Sequence, residues 1–557
     1  MNKWRSNPKL NYWGKFIIRT IFYSAVLLFL IYLYHYKIFK EELLSITNFR
    51  RKSMEIKTII EAIDDWGINE PDRVAYQADE THTFGELKQA SDALAYYLEK
   101  KVEGDGPIVV FGNLEFEMIV SFLGVVKSGH AYLPIEEHTP KERILSIFRV
   151  AKPSMVISIG DWIEDIPSVP VITKKEFQEI KKIPVGFYPR NSVKGTENFY
   201  IIFTSGTTGE PKGVQISHDN LVSFVQWTME DFGIKPGMHF LAQAPFSFDL
   251  SVFSIYPALV SGGMLKPLNK AVVQDFRQLF ATLPALKLNV WVSTPSFMDI
   301  CLMEPTFNGE NVPELDMFLF CGEELTKKTA ESLLDRFPNA RIYNTYGPTE
   351  ATVAISSIQI DQHVLDSYDR LPIGYVKKDT KVSIVQEGKP VSKGETGEII
   401  IAGPSVSKGY LNNPEKTAAA FFCQNDLASY HTGDAGRLDE DGLLFYEGRM
   451  DQQVKLHGYR IELGDIEHYL LQDNRIKQAV VVPKYQGTKV QQLVAFVVLE
   501  DKTKQPDFQL TKSIKEQLLE VVMDYMIPQK FHYVDLLPQT VNGKIDRKKL
   551  TAEVNPE

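Results

Sequence analysis

The sequence predicts a large α/β domain, parallel sheets flanked by helices, then a small α+β domain, with one transmembrane helix ahead of both. Three observations carry this. From residue 54 onward, short apolar runs alternate with amphipathic helical patterns, the layout of parallel sheets. Past residue 450, two strand-like runs and a helix pattern remain, enough for a domain of about 100 residues. Phe16 to Tyr36 reads "FIIRTIFYSAVLLFLIYLYHY", which at helical rise spans roughly 31 Å, the hydrocarbon thickness of a bilayer.

Within that first segment the one charge, Arg19, lies near an end and can snorkel. Trp4, Tyr12 and Trp13 before it, with Tyr32, Tyr34 and Tyr36 at its far end, suit interfacial aromatic belts. A cleaved signal peptide fits less well, because bulky residues follow the apolar run; a buried or interfacial helix is the other reading. Basic residues flank both ends, so charge leaves the orientation open. Residues 1–53 hold ten Lys/Arg and two Glu, a net of +8, leaving −18 on the rest of a chain whose total is −10. So acidic a body argues against a nucleic acid as partner. Cys301, Cys321 and Cys423 are too few and too scattered for a disulfide framework or a metal knuckle, which points to a reducing compartment.

In the body, "GPIVVFG" (106–112), "EFEMIVSFLGVVKSG" (115–129) and "AYLPI" (131–135) form a strand, helix, strand unit. The pattern recurs through "HFLAQAP", "SVFSIYPALVSGG", "NVWVST", "MFLFCG" and "RIYNTYG". The polar stretch 183–198, with its prolines and glycines, reads as an exposed connection. A domain boundary falls near 450, giving a head of 1–53, a large domain of 54–450 and a small mobile domain of 451–557. In the last, "IKQAVVVPKY" and "QQLVAFVVLE" read as strands and "SIKEQLLEVVMDYM" (513–526) as a helix.

"FTSGTTGEPKG" (203–213) follows an apolar strand and is not a Walker A sequence. Its glycines let backbone amides turn toward an anion, its hydroxyls donate, and Lys212 adds a charge. The chain also carries "NTYGPTE" (344–350), "YHTGD" (430–434), "GRMDQQVKLHGYRIELGDIE" (448–467) and "NGKIDRKKL" (542–550). In this order and at these separations, the motifs closely resemble the adenylate-forming superfamily, across residues 54–557. Within it the chain looks most like the D-alanine:D-alanyl carrier protein ligase family.

The resemblance implies an enzyme using ATP and Mg²⁺ to join a carboxylate to AMP and release pyrophosphate. Thr204, Ser205, Gly206, Thr207, Thr208, Gly209 and Lys212 would grip the β- and γ-phosphates. Tyr346 would stack on adenine beside Asn344, Thr349 would donate to the α-phosphate, Asp434 would accept from both ribose hydroxyls, and Arg449 would reach ribose or phosphate. Glu350 would ligate Mg²⁺. Lys544 would be catalytic, its ammonium bridging the substrate carboxylate and the α-phosphate. Each residue also has an ordinary use: Asp434 as a turn cap, Tyr346 in a core, Glu350 facing water, Lys544 in a solvated basic tail. The motifs taken together favour chemistry.

"PFSFDLSVF" (245–253) resembles the amino-acid-activating branch, in which an aspartate, here Asp249, pairs with the substrate's α-ammonium; a fatty acid offers no such cation. By the same resemblance Leu250, Phe253, Ser293, Leu319, Cys321, Thr345 and Val353 line an apolar pocket for a small side chain, D-alanine within this family. Handedness at Cα does not follow from these residues. No carrier-domain serine signature occurs in the chain, so the phosphopantetheine thiol arrives on a separate carrier protein or on coenzyme A. Asp451 would be the hinge about which the small domain turns to present "VKLHGYR" in place of Lys544.

The head resembles the small single-span protein of teichoic acid alanylation operons. An ATP-consuming domain belongs in the cytoplasm, and a fused head would anchor it through residues 16–36. Alternatively "RRKSM" (50–54) reads back to a ribosome-binding site before a start at Met54, making the head a separate upstream reading frame. Three other functional readings stay open: a stand-alone peptide-synthetase-type adenylation enzyme, an acyl-CoA ligase, and a nucleotide-binding scaffold without turnover.

Overall fold

The computed structural model describes residues 56–163, 166, 169–186, 191–206, 210–501, 506–540 and 544–556. The expected membrane helix and the rest of the head lie outside these residues; among those described, no helix is long and apolar enough to cross a membrane. Residues 57–557 cluster as one compact unit.

Two sheets dominate the large domain. The first has six strands, in the order Val171–Ile172, Met155–Ser158, Ile108–Phe111, Tyr132–Ile135, Asn198–Thr204 and Lys212–Ser217. All its neighbours run parallel except the last pair, the arms on either side of the Gly/Thr loop. The second, nine-stranded sheet includes His239–Ala242, Val290–Ser293, Met317–Phe320 and Arg341–Tyr346, laid side by side in parallel. These strands read as continuous apolar runs because both faces are covered: every residue of Ile108–Phe111 is fully buried. The predicted helix between the first pair runs Phe116–Lys127 and is buried almost all round. Lys127, at its end, is 1% exposed and lies 2.7 Å from both Asp64 and Asp92.

A third, antiparallel sheet carries the long strand Leu427–Leu438, paired with Leu444–Arg449. The smaller C-terminal domain then opens with a hairpin, Gln453–Leu456 against Tyr459–Glu462. Its two-residue turn places His457 at φ 53° and Gly458 at φ 84°, the positive pair that a primed hairpin turn requires. Strands Ile476–Gln486, Lys489–Leu499 and Lys530–Tyr533 form its sheet. The helix expected over 513–526 instead runs Asp507–Leu519, followed by a single tight turn at Asp524–Met526. Pro506 caps the earlier start, while beyond Leu519 the N–H groups of Val521 and Val522 both turn back onto the Leu518 carbonyl, which closes the helix.

Candidate active site

Sheet ends and the small-domain hairpin enclose a cavity of about 110 Å³ lined by Thr204, Ser205, Asp249, Leu250, Cys321, Thr349, Val353, Asp434 and Arg449, all singled out in the sequence. At the end that faces the Gly/Thr loop, Asn198–Thr204 delivers Thr204 with a buried hydroxyl that has no partner among the described residues. Ser205 Oγ donates to the Arg460 carbonyl at 2.9 Å and accepts the Glu462 N–H at 3.2 Å. At Gly206 a Cβ would meet the Glu210 carbonyl at 2.1 Å, so the loop closes only on glycine. Thr207, Thr208 and Gly209 lie outside the described residues. Lys212 starts the returning strand with Nζ 3.6 Å from Glu462 Oε1; burial and the Arg460 charge push its pKa down, against the pull of Glu350 and Glu462.

The residues expected to meet the nucleotide form a chain of side-chain contacts. Tyr346 donates its hydroxyl to Asp434 Oδ2 at 2.6 Å, and Arg449 Nη1 donates to Asp434 Oδ1 at 2.9 Å. Arg449 also donates from Nε to Asp451, the residue expected to be the hinge, at 2.9 Å. Burial raises the Asp451 carboxyl, but the Arg449 guanidinium outweighs it and holds the pKa below the usual value. Asn344 and Thr345 line a smaller recess with Tyr346, where Asn344 Nδ2 donates to the Pro372 carbonyl at 2.8 Å.

Asp249 precedes the helix Leu250–Val260, and its side chain makes no capping bond. Burial pushes its pKa up, the Thr349 hydroxyl draws it back, the nearby Glu350 charge raises it further, and the more distant Lys455 and Arg460 charges lower it. Among the described residues no cation stands within ion-pair distance of it. Opposite, Cys321 donates its thiol to the Val353 carbonyl at 3.6 Å. Val353 is held at φ 68°, a costly left-handed conformation for a β-branched residue, of the kind that recurs at ligand sites. Phe253, Ser293 and Leu319 are not in the cavity wall. Phe253 packs on Phe224 and Phe232, with ring centroids 5.2 and 5.9 Å away, and Ser293 accepts from Trp291 Nε1 at 2.8 Å. Leu319 is buried within its strand.

Lys544 stands apart from the cavity wall and is exposed, and the residues before it, 541–543, lie outside those described. The wall holds Lys455, Gly458, Tyr459 and Arg460 of the "VKLHGYR" hairpin instead. Lys455 Nζ lies 6.0 Å from the Tyr346 ring centroid. The structure therefore has the hairpin, and not Lys544, seated in the site.

Glu350 is fully buried; Arg460 Nη1 donates to its Oε2 at 2.5 Å and Tyr410 to its Oε1 at 2.8 Å. Burial would raise its pKa, but Arg460 and Lys212 dominate and bring it down to about 2. With both oxygens taken, and no group of three ligating side chains among the described residues, the site in this arrangement does not fit a magnesium ion. Sequence reasoning missed Tyr410 and also Arg143 and Lys416, which stand near the loop. Their contacts cross 60 or more positions of chain, and no local pattern marks them.

Family models match the chain in three places: AMP-binding enzyme over residues 63–411, AMP-binding enzyme C-terminal domain over 465–544, and D-Ala-teichoic acid biosynthesis protein over 7–41. The D-alanine--D-alanyl carrier protein ligase of Lactiplantibacillus plantarum is 55% identical over 507 residues, 90% of this chain and 100% of that relative. The ligases of the same name from Lacticaseibacillus casei and Streptococcus agalactiae are 52% and 49% identical, each over 90% of this chain and 100% of their own length. In fold, the chain matches the Vibrio cholerae adenylation domain AlmE, solved with glycyl-adenosine-5'-phosphate, at TM-score 0.73 and 22% identity over 89% of this chain and 97% of that one. It also matches the o-succinylbenzoate CoA synthetase MenE of Bacillus subtilis at TM-score 0.76 and 20% identity, over 88% and 98%. The chain belongs to the AMP-binding enzymes, in the family of the D-alanine--D-alanyl carrier protein ligases.

Proposed function

We propose that the chain activates D-alanine with ATP and passes the alanyl group to the phosphopantetheine thiol of a separate carrier protein, for D-alanylation of teichoic acids. The observation that carries this reading is Asp249, a carboxyl in the cavity wall with no protein cation at ion-pair distance among the described residues. An α-ammonium answers that charge and a fatty acid does not. Leu250, Cys321 and Val353 beside it leave room for a small side chain, and the printed names of the relatives supply D-alanine and the carrier.

In the first half-reaction a carboxylate oxygen of the amino acid attacks the α-phosphorus of ATP and pyrophosphate leaves. Asp434 and Tyr346 hold the nucleoside, Thr349 the α-phosphate, and Thr204, Ser205 and Lys212 the departing phosphates. Lys544 would come to the site for this step with the small domain turned about Asp451. In the second half-reaction the thiol gives up its proton, its sulfur attacks the acyl carbon, and the bond to AMP breaks. Lys455 is then the ammonium beside the nucleotide. The body works where ATP is, in the cytoplasm, with residues 16–36 at the membrane if the head is made with it.

Amino-acid-dependent ATP–pyrophosphate exchange on the full chain tests this. D-Alanine should exceed L-alanine, glycine and larger amino acids in kcat/KM, and a fatty acid should give nothing. Exchange with the fatty acid alone would overturn the role of Asp249.

A further inference from the structure

Two cavities meet at Glu136, and we propose that its carboxylate takes the proton of the incoming thiol in the second half-reaction. The inference rests on the ligase reading above and adds to it a base. The first cavity, described above, shares Glu136 and Tyr459 with a second one of about 590 Å³, whose wall also holds Asn113, Phe116, Gln243, Phe246 and Lys270. Neither Asp434 nor Arg449 lines the second cavity, so a thiol arm entering there comes upon the acyl end of an adenylate and not its nucleoside. Ser247 Oγ donates to Glu136 Oε1 at 2.5 Å, and Ser247 stands two residues before Asp249. The carboxyl is thereby tied to the stretch of chain that carries the proposed partner of the substrate ammonium.

The other carboxyls are committed elsewhere. Among the described residues the wall of the first cavity holds Glu136, Asp249 and Asp434, and no histidine. Asp434 has one oxygen engaged by Tyr346 and the other by Arg449, while Asp249 answers the ammonium. Asp79, Glu80, Glu115 and Glu117 line only the second cavity. Glu136 takes the Ser247 hydroxyl on Oε1 and, among the described residues, no hydrogen bond on Oε2. Burial raises its pKa, against the Ser247 hydroxyl and the charges of Lys270 and His138 and with that of Asp524. Tyr459, stacked on Tyr525 at 3.7 Å and 5.4 Å from the Phe248 ring, closes the junction, and Arg143 stands in the same wall. A carboxyl raised in this way is closer in basicity to a thiol, whose ordinary pKa is about 8.5. In the step, the S–H bond breaks and its proton goes to Oε2 as the sulfur electron pair forms the C–S bond. The bond from the acyl carbon to the phosphate oxygen breaks, AMP leaves with that electron pair, and Glu136 returns the proton to solvent through the second cavity.

The test mixes pantetheine with the full chain carrying preformed D-alanyl-adenylate and follows thioester formation from about pH 5 to 9, in wild type, Glu136→Gln and Ser247→Ala. The wild-type rate should climb through the Glu136 pKa, above the ordinary 4.5, and then level. Glu136→Gln should be roughly 100-fold slower near neutral pH, where a general base is lost. Its rate should then gain about tenfold per pH unit as free thiolate forms, so that the gap closes toward the thiol pKa of about 8.5. A side chain that only shapes the wall would leave the same gap at every pH, and that result overturns the proposal, as does a Glu136→Gln rate equal to wild type. Ser247→Ala removes a hydrogen bond that lowers the Glu136 pKa and should move the acid limb to higher pH. If Glu136→Gln fails to form adenylate, that limb decides, and an unmoved limb overturns the base. A wild-type chain that forms D-alanyl-adenylate keeps the ligase reading through any of these results; one that forms none overturns both.

Discussion

Asp249 shows how one residue divides what a sequence tells from what it does not. Its neighbours "FSFD" identify a branch of enzymes, yet only the fold shows that the carboxyl lies uncapped at a helix start with burial raising its pKa. Asp249→Ala would remove the proposed partner of the substrate ammonium. A buried pair broken on one side costs about 3–5 kcal/mol, so kcat/KM for D-alanine should fall by a factor of roughly 100 or more. Exchange kinetics check this, and a fall below tenfold would mean that the ammonium is held elsewhere. The other motif residues divide in the same manner. Asp434, Tyr346 and Arg449 were legible because each belongs to a short motif, and the fold gathers them into one chain of hydrogen bonds. Arg143, Lys416 and Tyr410 were not, since what places them near the loop is packing between distant segments. Lys544 was legible by its motif but not by its position, because a sequence does not say which of two domain arrangements is in force.

Among the elements, the hairpin Gln453–Glu462 does most to define the site. Gly458 turns it at φ 84°, and a Cβ there would meet Thr294 Cγ2 at 2.2 Å. Gly458→Ala should therefore leave the amino-acid-dependent exchange reaction largely in place and slow transfer to the carrier thiol, by about tenfold per 1.4 kcal/mol of clash. Single-turnover transfer from preformed adenylate measures it, and equal loss in both half-reactions would refute a role confined to the seated hairpin. A second element, the helix Phe116–Lys127, ends in a buried charge cluster. Lys127 bonds Asp64 and Asp92 at 2.7 Å each, and burial raises the Asp64 pKa despite the lysine. Lys127→Ala strands Asp64, since Asp92 keeps Lys88 at 2.5 Å, and should cost about 3 kcal/mol in denaturant unfolding, whereas Asp64→Asn with Lys127→Met should cost far less. Parallel strands buried on both faces were readable as apolar runs, while the helix at Asp507–Leu519 was misplaced because "EVVMDYM" continues a helical apolar pattern past the residue where the chain turns.

For the whole molecule, the alternation of strands and helices announced the α/β body and small α+β domain, but nothing in it said how firmly the small domain is seated. Asp465 bears on that. It is fully buried, both its oxygens lack hydrogen bonds among the described residues, and Arg143 of the large domain lies 3.6 Å from one of them. Burial pushes its pKa up to about 6, against the charges of Arg143, His468 and Lys416 and with that of Glu462. The ordinary value is 3.8, so the seated arrangement holds a proton more tightly than a solvated Asp465 does. Above pH 6 the ionised carboxylate therefore works against the seat. As pH falls through 6 the seat gains stability, and the gain is complete once the solvated group would also be protonated, below 3.8. Arg460 on Glu350 favours the seat and ionised Asp465 opposes it, a balance suited to the domain turn proposed above. Energy transfer between labels on the two domains of the ligand-free chain should show the seated fraction rising from pH 7.5 to 5.5. Asp465→Asn should hold it at the acid-side level throughout. A variant that kept the wild-type pH response would remove Asp465 as its source, and one that unseated the domain would make the Arg143 pairing a net attraction.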